Sequence, residues 1–217
     1  MSSADTIFDI VEPALMQLRK SGELSDFTIV SASGREWKVH KLVLFMYSDV
    51  LHRMSASTDF IEGQNGRVRL KDVEERAIEG LVRYMYCEVS NVSAADVGID
   101  QDEFPRYCTE LLEIADMYNV KGMDEYAMDM FNHWAFHDSF HSGNPQWVRK
   151  VVELTCKAEV AEGMWKLLVI KLTNVLTRDH SFDWEYVREL LALHSKLGEH
   201  VTMEFASRRF CRSNPLS

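Results

Sequence analysis

A chain of 217 residues with 46% hydrophobic and 11% aromatic side chains holds enough apolar material for one domain of ordinary size and a smaller appendage, which excludes a disordered or collagenous polypeptide. Lysine and arginine total 24 against 34 aspartate and glutamate, a net charge of −10, which argues against a polyanion such as nucleic acid as the main ligand. The acidity is uneven: residues 1–130 hold 13 basic and 24 acidic side chains, residues 131–217 hold 11 and 10.

From Asp5 to Lys20, Ile7, Ile10, Val11, Ala14, Leu15 and Leu18 recur at three- and four-residue spacing, which predicts an amphipathic helix ended by Ser21-Gly22. Asp26 to Ser31 and Glu36 to His40 alternate with period two around Ser33-Gly34 and predict a β-hairpin, with Trp37 and Val39 on its buried face. Leu42 to Met54 is almost continuously apolar and reads as one helix packed on several sides. Val68 and Leu70, alternating with Arg67, Arg69 and Lys71, give a short third strand. Asp72, with Glu75 three residues on, has the spacing of a capping box opening a helix whose stripe is Ala77, Ile78, Leu81, Val82, Met85 and Tyr86. Asn91 to Pro105 reads as irregular. Helices are expected at Glu110 to Tyr118, Met123 to Phe136, Trp147 to Ala158, Gly163 to Leu176, Trp184 to Leu197 and Val201 to Phe210. The expected core is Phe27, Ile29, Trp37, Val39, Leu44, Leu70, Leu81, Met85, Leu112 and Ala115.

Cys87, Cys108, Cys156 and Cys211 are far apart and unpaired by spacing, which favours a reducing compartment. The acidic N-terminus and the lack of any long uncharged apolar run argue against secretion and membrane spanning. The protein is therefore expected to be intracellular, in the cytoplasm, the nucleus or both.

Several pieces, taken in order, carry a resemblance: Ser25-Asp26-Phe27-Thr28-Ile29, then Val39-His40-Lys41-Leu42-Val43-Leu44 with Ser48 after it, Phe60-Ile61-Glu62, Val68-Arg69-Leu70, Leu81-Val82-Arg83-Tyr84-Met85-Tyr86 and Ala115-Asp116-Met117-Tyr118. Together they resemble the BTB/POZ domain, and the overall spacing is similar to fungal members that carry a helical tail. The resemblance implies an α+β fold, a small β-sheet flanked by a helical cluster, followed by an all-helical extension. The expected boundaries are an N-terminal helix at 1–23, the domain at 24–130 and the extension at 131–217.

The implied function is a protein-interaction module that self-associates, acts as an adaptor for a cullin-based ubiquitin ligase, or both, with protein partners, no cofactor and no catalysis. The N-terminal helix, apolar at Ile7, Val11, Leu15 and Leu18, resembles in position the helix of the family's two-fold dimers. Few residues precede it, so a helix-only dimer and a monomer with the helix folded back both stand. Asp26 and Lys41 match an acid and a base near the family's dimer groove. From their residues alone, Asp26 fits a cap at the strand turn and Lys41 a solvated helix start equally well. Phe60-Ile61-Glu62 matches the family's cullin-contact motif, and Leu51 resembles a second contact position. Phe60 covering the local core, with Glu62 solvated, is the competing reading.

His133, His137 and His141, spaced by four on one helix, are candidate zinc ligands, although no glutamate or cysteine pair completes a metal motif. That leaves a metal-binding or enzymatic protein as one alternative. Another is a transcription regulator acting through a partner, because Arg208, Arg209 and Arg212 are too few cations to hold nucleic acid. No nucleophile elbow, phosphate loop or cysteine beside a base is present in the sequence.

Overall fold

Alternating side-chain direction builds the sheet. β1 (Phe27–Ser31) and β2 (Glu36–Val39) form an antiparallel hairpin with Phe27 opposite Val39 and Ile29 opposite Trp37. Gly34 closes the reversal at φ 97°, a conformation that costs a side chain but not glycine. Trp37 and Val39 are buried while Glu36 and Lys38 are exposed, as period two requires. β3 (Arg67–Leu70) repeats the pattern, with Val68 and Leu70 inward. It lies parallel to β1 on the opposite side from β2, with Ile29 opposite Val68, so the order is β2-β1-β3. A parallel neighbour needs a crossover connection, and three short helices supply it.

The computed structural model describes residues 3–87, 94, 97–136, 145–178 and 184–213. The side chain of Ile7, and all of His137 and His141, lie outside the described residues.

The apolar run after β2 is two helices, not one. α2 (Lys41–Tyr47) and α3 (Asp49–Ala56) are separated by Ser48, which is extended at φ −145°, ψ 113°. Its hydroxyl accepts from Leu51 N at 3.0 Å, capping α3, and donates to the Tyr118 carbonyl at 2.6 Å. A serine that satisfies a helix N-terminus and a distant carbonyl together is better placed in extended backbone than inside a helix. Nor is this segment packed on all sides: Val43, Leu44 and Leu51 are buried, whereas Leu42, Phe45 and Met46 are exposed. α4 (Ile61–Asn65) then leads into β3 through Gly66 in the left-handed region.

α1 (Ser3–Ser21) and α5 (Glu75–Met85) form as expected, but the Asp72/Glu75 capping box does not. Glu74 is the residue flanking α5, with no side-chain cap. Glu75 instead receives the hydroxyls of Ser33 and of Ser31, the latter at 3.0 Å. Tertiary donors have outcompeted the local backbone. Those hydroxyls, Ser33 first and then Ser31, hold the Glu75 carboxyl below its ordinary range. Because the folded value is depressed, the stabilisation is present above the usual glutamate value of about 4.3 and fades as pH falls through the folded value. Glu75→Gln is therefore expected to be less stable than the parent near neutrality, with the gap closing as the pH of the denaturation series is lowered. A gap that widens in acid contradicts this sign.

α6 (Phe104–Met117) begins well before the expected Glu110 and carries Pro105 in its first turn, where the missing N–H costs nothing. Nine of the ten expected core residues are buried; Leu112 is half-buried and its neighbour Leu111 takes the inward place. α7 (Met123–Phe136) keeps its expected limits.

The chain divides into two compact units, one of residues 1–99 and 107–127, the other of 100–106 and 128–217. The second is helical among its described residues: α8 (Pro145–Lys157), α9 (Glu162–Arg178), α10 (Trp184–Leu193) and α11 (Ser195–Ser213). The last break falls at His194, not between Leu197 and Val201, since Leu197 and Val201 are both buried within α11. Val148, Val151, Val152, Met164, Leu168 and Leu172 fill its interior.

Candidate partner-docking surface

The corner between β2 and α2 sets the direction of the outward face of α2. His40 flanks the helix but gives it no side-chain cap; Asp26 does so from the start of β1, its Oδ1 accepting from Lys41 N at 2.8 Å. The His40 ring is turned inward. Nε2 lies 2.7 Å from the Glu23 carbonyl, which only accepts, so Nε2 carries the proton in the neutral ring. Nδ1 then accepts from the Tyr86 hydroxyl at 2.6 Å, and the same oxygen accepts from His40 N at 2.9 Å. Burial pushes Tyr86 up to about 12, so it remains a protonated donor. Three chain segments meet at this corner with their polar groups satisfied.

With Val43 and Leu44 buried beneath it, α2 presents Leu42 at 69%, Phe45 at 56% and Met46 at 46% exposure. The Phe45 and His52 rings pack in a T-shaped arrangement with their centroids 4.9 Å apart. On the same unit, Phe60 flanks α4 and Ile61 opens it, exposed at 49% and 70%, with Glu62 half-exposed in the first turn. About half of Phe60 faces solvent. Leu51 does belong to that core, at 1% exposure, so its side chain is not offered to a partner in this conformation. Large apolar residues that cluster on a surface mark interaction sites more often than isolated ones do.

α1 is fastened near its C-terminal end. Glu79 on α5 receives Arg19 from α1, Arg35 at 2.9 Å and the Trp37 indole N–H at 2.8 Å, and the Arg35 guanidinium stacks 4.8 Å above the Trp37 ring. Charge-assisted bonds converging on one partly buried carboxylate are stronger than exposed pairs such as Arg67 with Glu36. Along α1, Val11 is exposed and Leu15 and Leu18 are half-buried. Asp26 is exposed with its carboxylate committed to the cap of α2, while the Lys41 ammonium lies 5.9 Å from the Phe27 ring.

A family model described as the BTB/POZ domain matches residues 15–133, just over half of the chain. The chain belongs to the BTB/POZ domain family. Among its relatives, BTB and MATH domain-containing protein 41 of Caenorhabditis elegans is 29% identical over 115 residues, 52% of this chain and 26% of that protein. Kelch repeat and BTB domain-containing protein 4 of Homo sapiens is 29% identical over 115 residues, 53% and 19% of the two chains. Kelch-like protein 30 of Homo sapiens is 38% identical over 72 residues, 33% and 12%. The matched part of this BTB/POZ chain thus spans about a quarter or less of each of these relatives.

The sequence reading missed two parts of this surface. Leu42, Phe45 and Met46 lie in a run whose apolar residues show no periodicity, so nothing in the sequence marks them as outward-facing. Glu79 lay unremarked in the polar phase of α5. His133 is exposed on α7, and among the described residues no group of three His, Cys, Asp or Glu is placed to hold a metal ion. Cys108 is fully buried, and that burial holds its thiol well above the ordinary range, so it packs as a small hydrophobe. No described helix is long and apolar enough to cross a membrane.

Proposed function

We propose that this BTB/POZ chain is a non-enzymatic adaptor that binds proteins through its exposed apolar face, pairing with its own copy and docking a cullin-type scaffold. We also propose the division into an N-terminal helix at 1–23, the domain at 24–130 and a helical extension at 131–217, working inside the cell. The observation that carries the reading is the set Leu42, Phe45, Met46, Phe60 and Ile61, five large apolar side chains between 46% and 70% exposed on one unit. Removing them from water is the main driving force open to this surface.

The two contacts divide by element. Phe60 and Ile61 form an apolar anchor that enters a scaffold pocket, with Glu62 meeting donors at its rim. Ile7, Val11, Leu15 and Leu18 on α1, with Asp26 and Lys41, are the residues of a two-fold pairing in which one surface meets its own copy. Phe60→Ala combined with Glu62→Ala is expected to abolish co-purification with a cullin N-terminal domain and to leave the circular dichroism spectrum unchanged. An unmutated protein that binds no cullin N-terminal domain at tens of micromolar, roughly −6 kcal/mol, ends the cullin reading.

Self-association is tested separately. Leu15→Glu places a charge in the paired patch, where like charges meet across the two-fold, and is expected to reduce the solution mass from dimer to monomer. A monomeric parent, or a dimer indifferent to Leu15→Glu, refutes pairing through α1.

A further inference from the structure

The helical unit contains a cavity of about 840 Å³ at the end of α8, the start of α9 and the α10–α11 turn, a size typical of small-molecule sites. Leu193, Leu197 and Val160 give it apolar walls, and half-buried Trp165 stands among them. The Trp165 indole N–H donates to His200 Nδ1 at 2.9 Å. With Nδ1 accepting, the His200 proton sits on Nε2, which is left to donate elsewhere. The Lys196 ammonium lies 5.5 Å from the Trp165 ring centroid. A cation donor and an N–H donor thus flank one indole.

The nearby acids do not cancel this arrangement. Glu162 is engaged by Lys166 at 2.7 Å. Glu159 is exposed to solvent, where its charge is screened. Burial raises the Cys156 thiol, which keeps it neutral and adds no negative charge to the wall. A ligand cation, in turn, finds Lys196 already over the indole.

We propose that this cavity binds a small planar organic carboxylate, its ring against Trp165 and the leucine walls and its carboxylate held by Lys196 and His200. Charge-assisted bonds to Lys196 and His200 supply selectivity for the acid over its neutral amide. This inference is independent of the adaptor reading, since no residue of α1, α2 or α4 takes part.

The test uses the full chain labelled with nitrogen-15 and follows the indole N–H resonance of Trp165, assigned by its loss in Trp165→Phe. Titration with 2-naphthoate is expected to shift that resonance and to saturate below about 1 mM, a free energy near −4 kcal/mol. The neutral 2-naphthamide and the cationic 2-naphthylmethylamine are each expected to bind at least about tenfold more weakly, as is 2-naphthoate to Lys196→Met. Lys196 is exposed, so this variant keeps the fold, and the other indole resonances staying in place verify it. The proposal is overturned by any of three results: no shift with 2-naphthoate, equal or tighter binding of the amide or the amine, or unweakened binding to Lys196→Met.

Discussion

Tyr86→Phe is expected to destabilise the protein by about 2 to 6 kcal/mol, although it removes a single oxygen. That oxygen is the partner of two groups, accepting from His40 N and donating to His40 Nδ1. Tyr86 is fully buried and His40 is 8% exposed, so water does not replace it without opening the corner. Each orphaned buried group costs about 1 to 3 kcal/mol, while the phenylalanine ring keeps the apolar burial unchanged. Urea denaturation of both proteins at neutral pH measures the difference. A change below about 0.5 kcal/mol, the size of an ordinary surface substitution, shows that the corner relaxes and that the bonding does not hold α2 in place.

Gly80→Ala sets two effects against each other. In an exposed helix alanine gains up to about 1 kcal/mol over glycine. Here, inside α5, a Cβ lies 2.5 Å from the Tyr107 hydroxyl and 2.6 Å from Leu111 Cδ2. Tyr107 and Leu111 are themselves 3% and 0% exposed, so neither has room to withdraw. Overpacking of a filled core costs about 1 to 3 kcal/mol, and the clash is expected to win, with Gly80→Val worse again. Thermal unfolding of the two variants gives the order. An alanine variant more stable than the parent shows that α5 and α6 separate freely at this point.

The strands were legible because their evidence is local: Trp37 and Val39, then Val68 and Leu70, alternate with charged neighbours and need no other part of the chain to read them. The stripe of α5 was legible for the same reason. The breaks were not. Ser48 ends α2 because its hydroxyl reaches the Tyr118 carbonyl, far along the chain, and only the general preference of serine for helix starts hinted at it. Glu75 looked like a capping partner because the serines that draw it away are brought near by the hairpin. At the surface, family resemblance pointed to Phe60-Ile61-Glu62, but no pattern in the sequence distinguishes an apolar residue facing water from one facing the core. Leu51 and Phe60 look equally apolar in sequence, yet one is 1% and the other 49% exposed. Periodicity finds the buried side of a helix only when the other side is polar, which α2 does not provide.

The most direct test of the docking claim is multi-angle light scattering of the full chain at tens of micromolar, alone and mixed with a cullin N-terminal domain. Pairing and cullin docking together require about twice the 25.1 kDa chain mass for the protein alone and a heavier complex in the mixture. A single species at the chain mass, unchanged by the cullin domain, contradicts it.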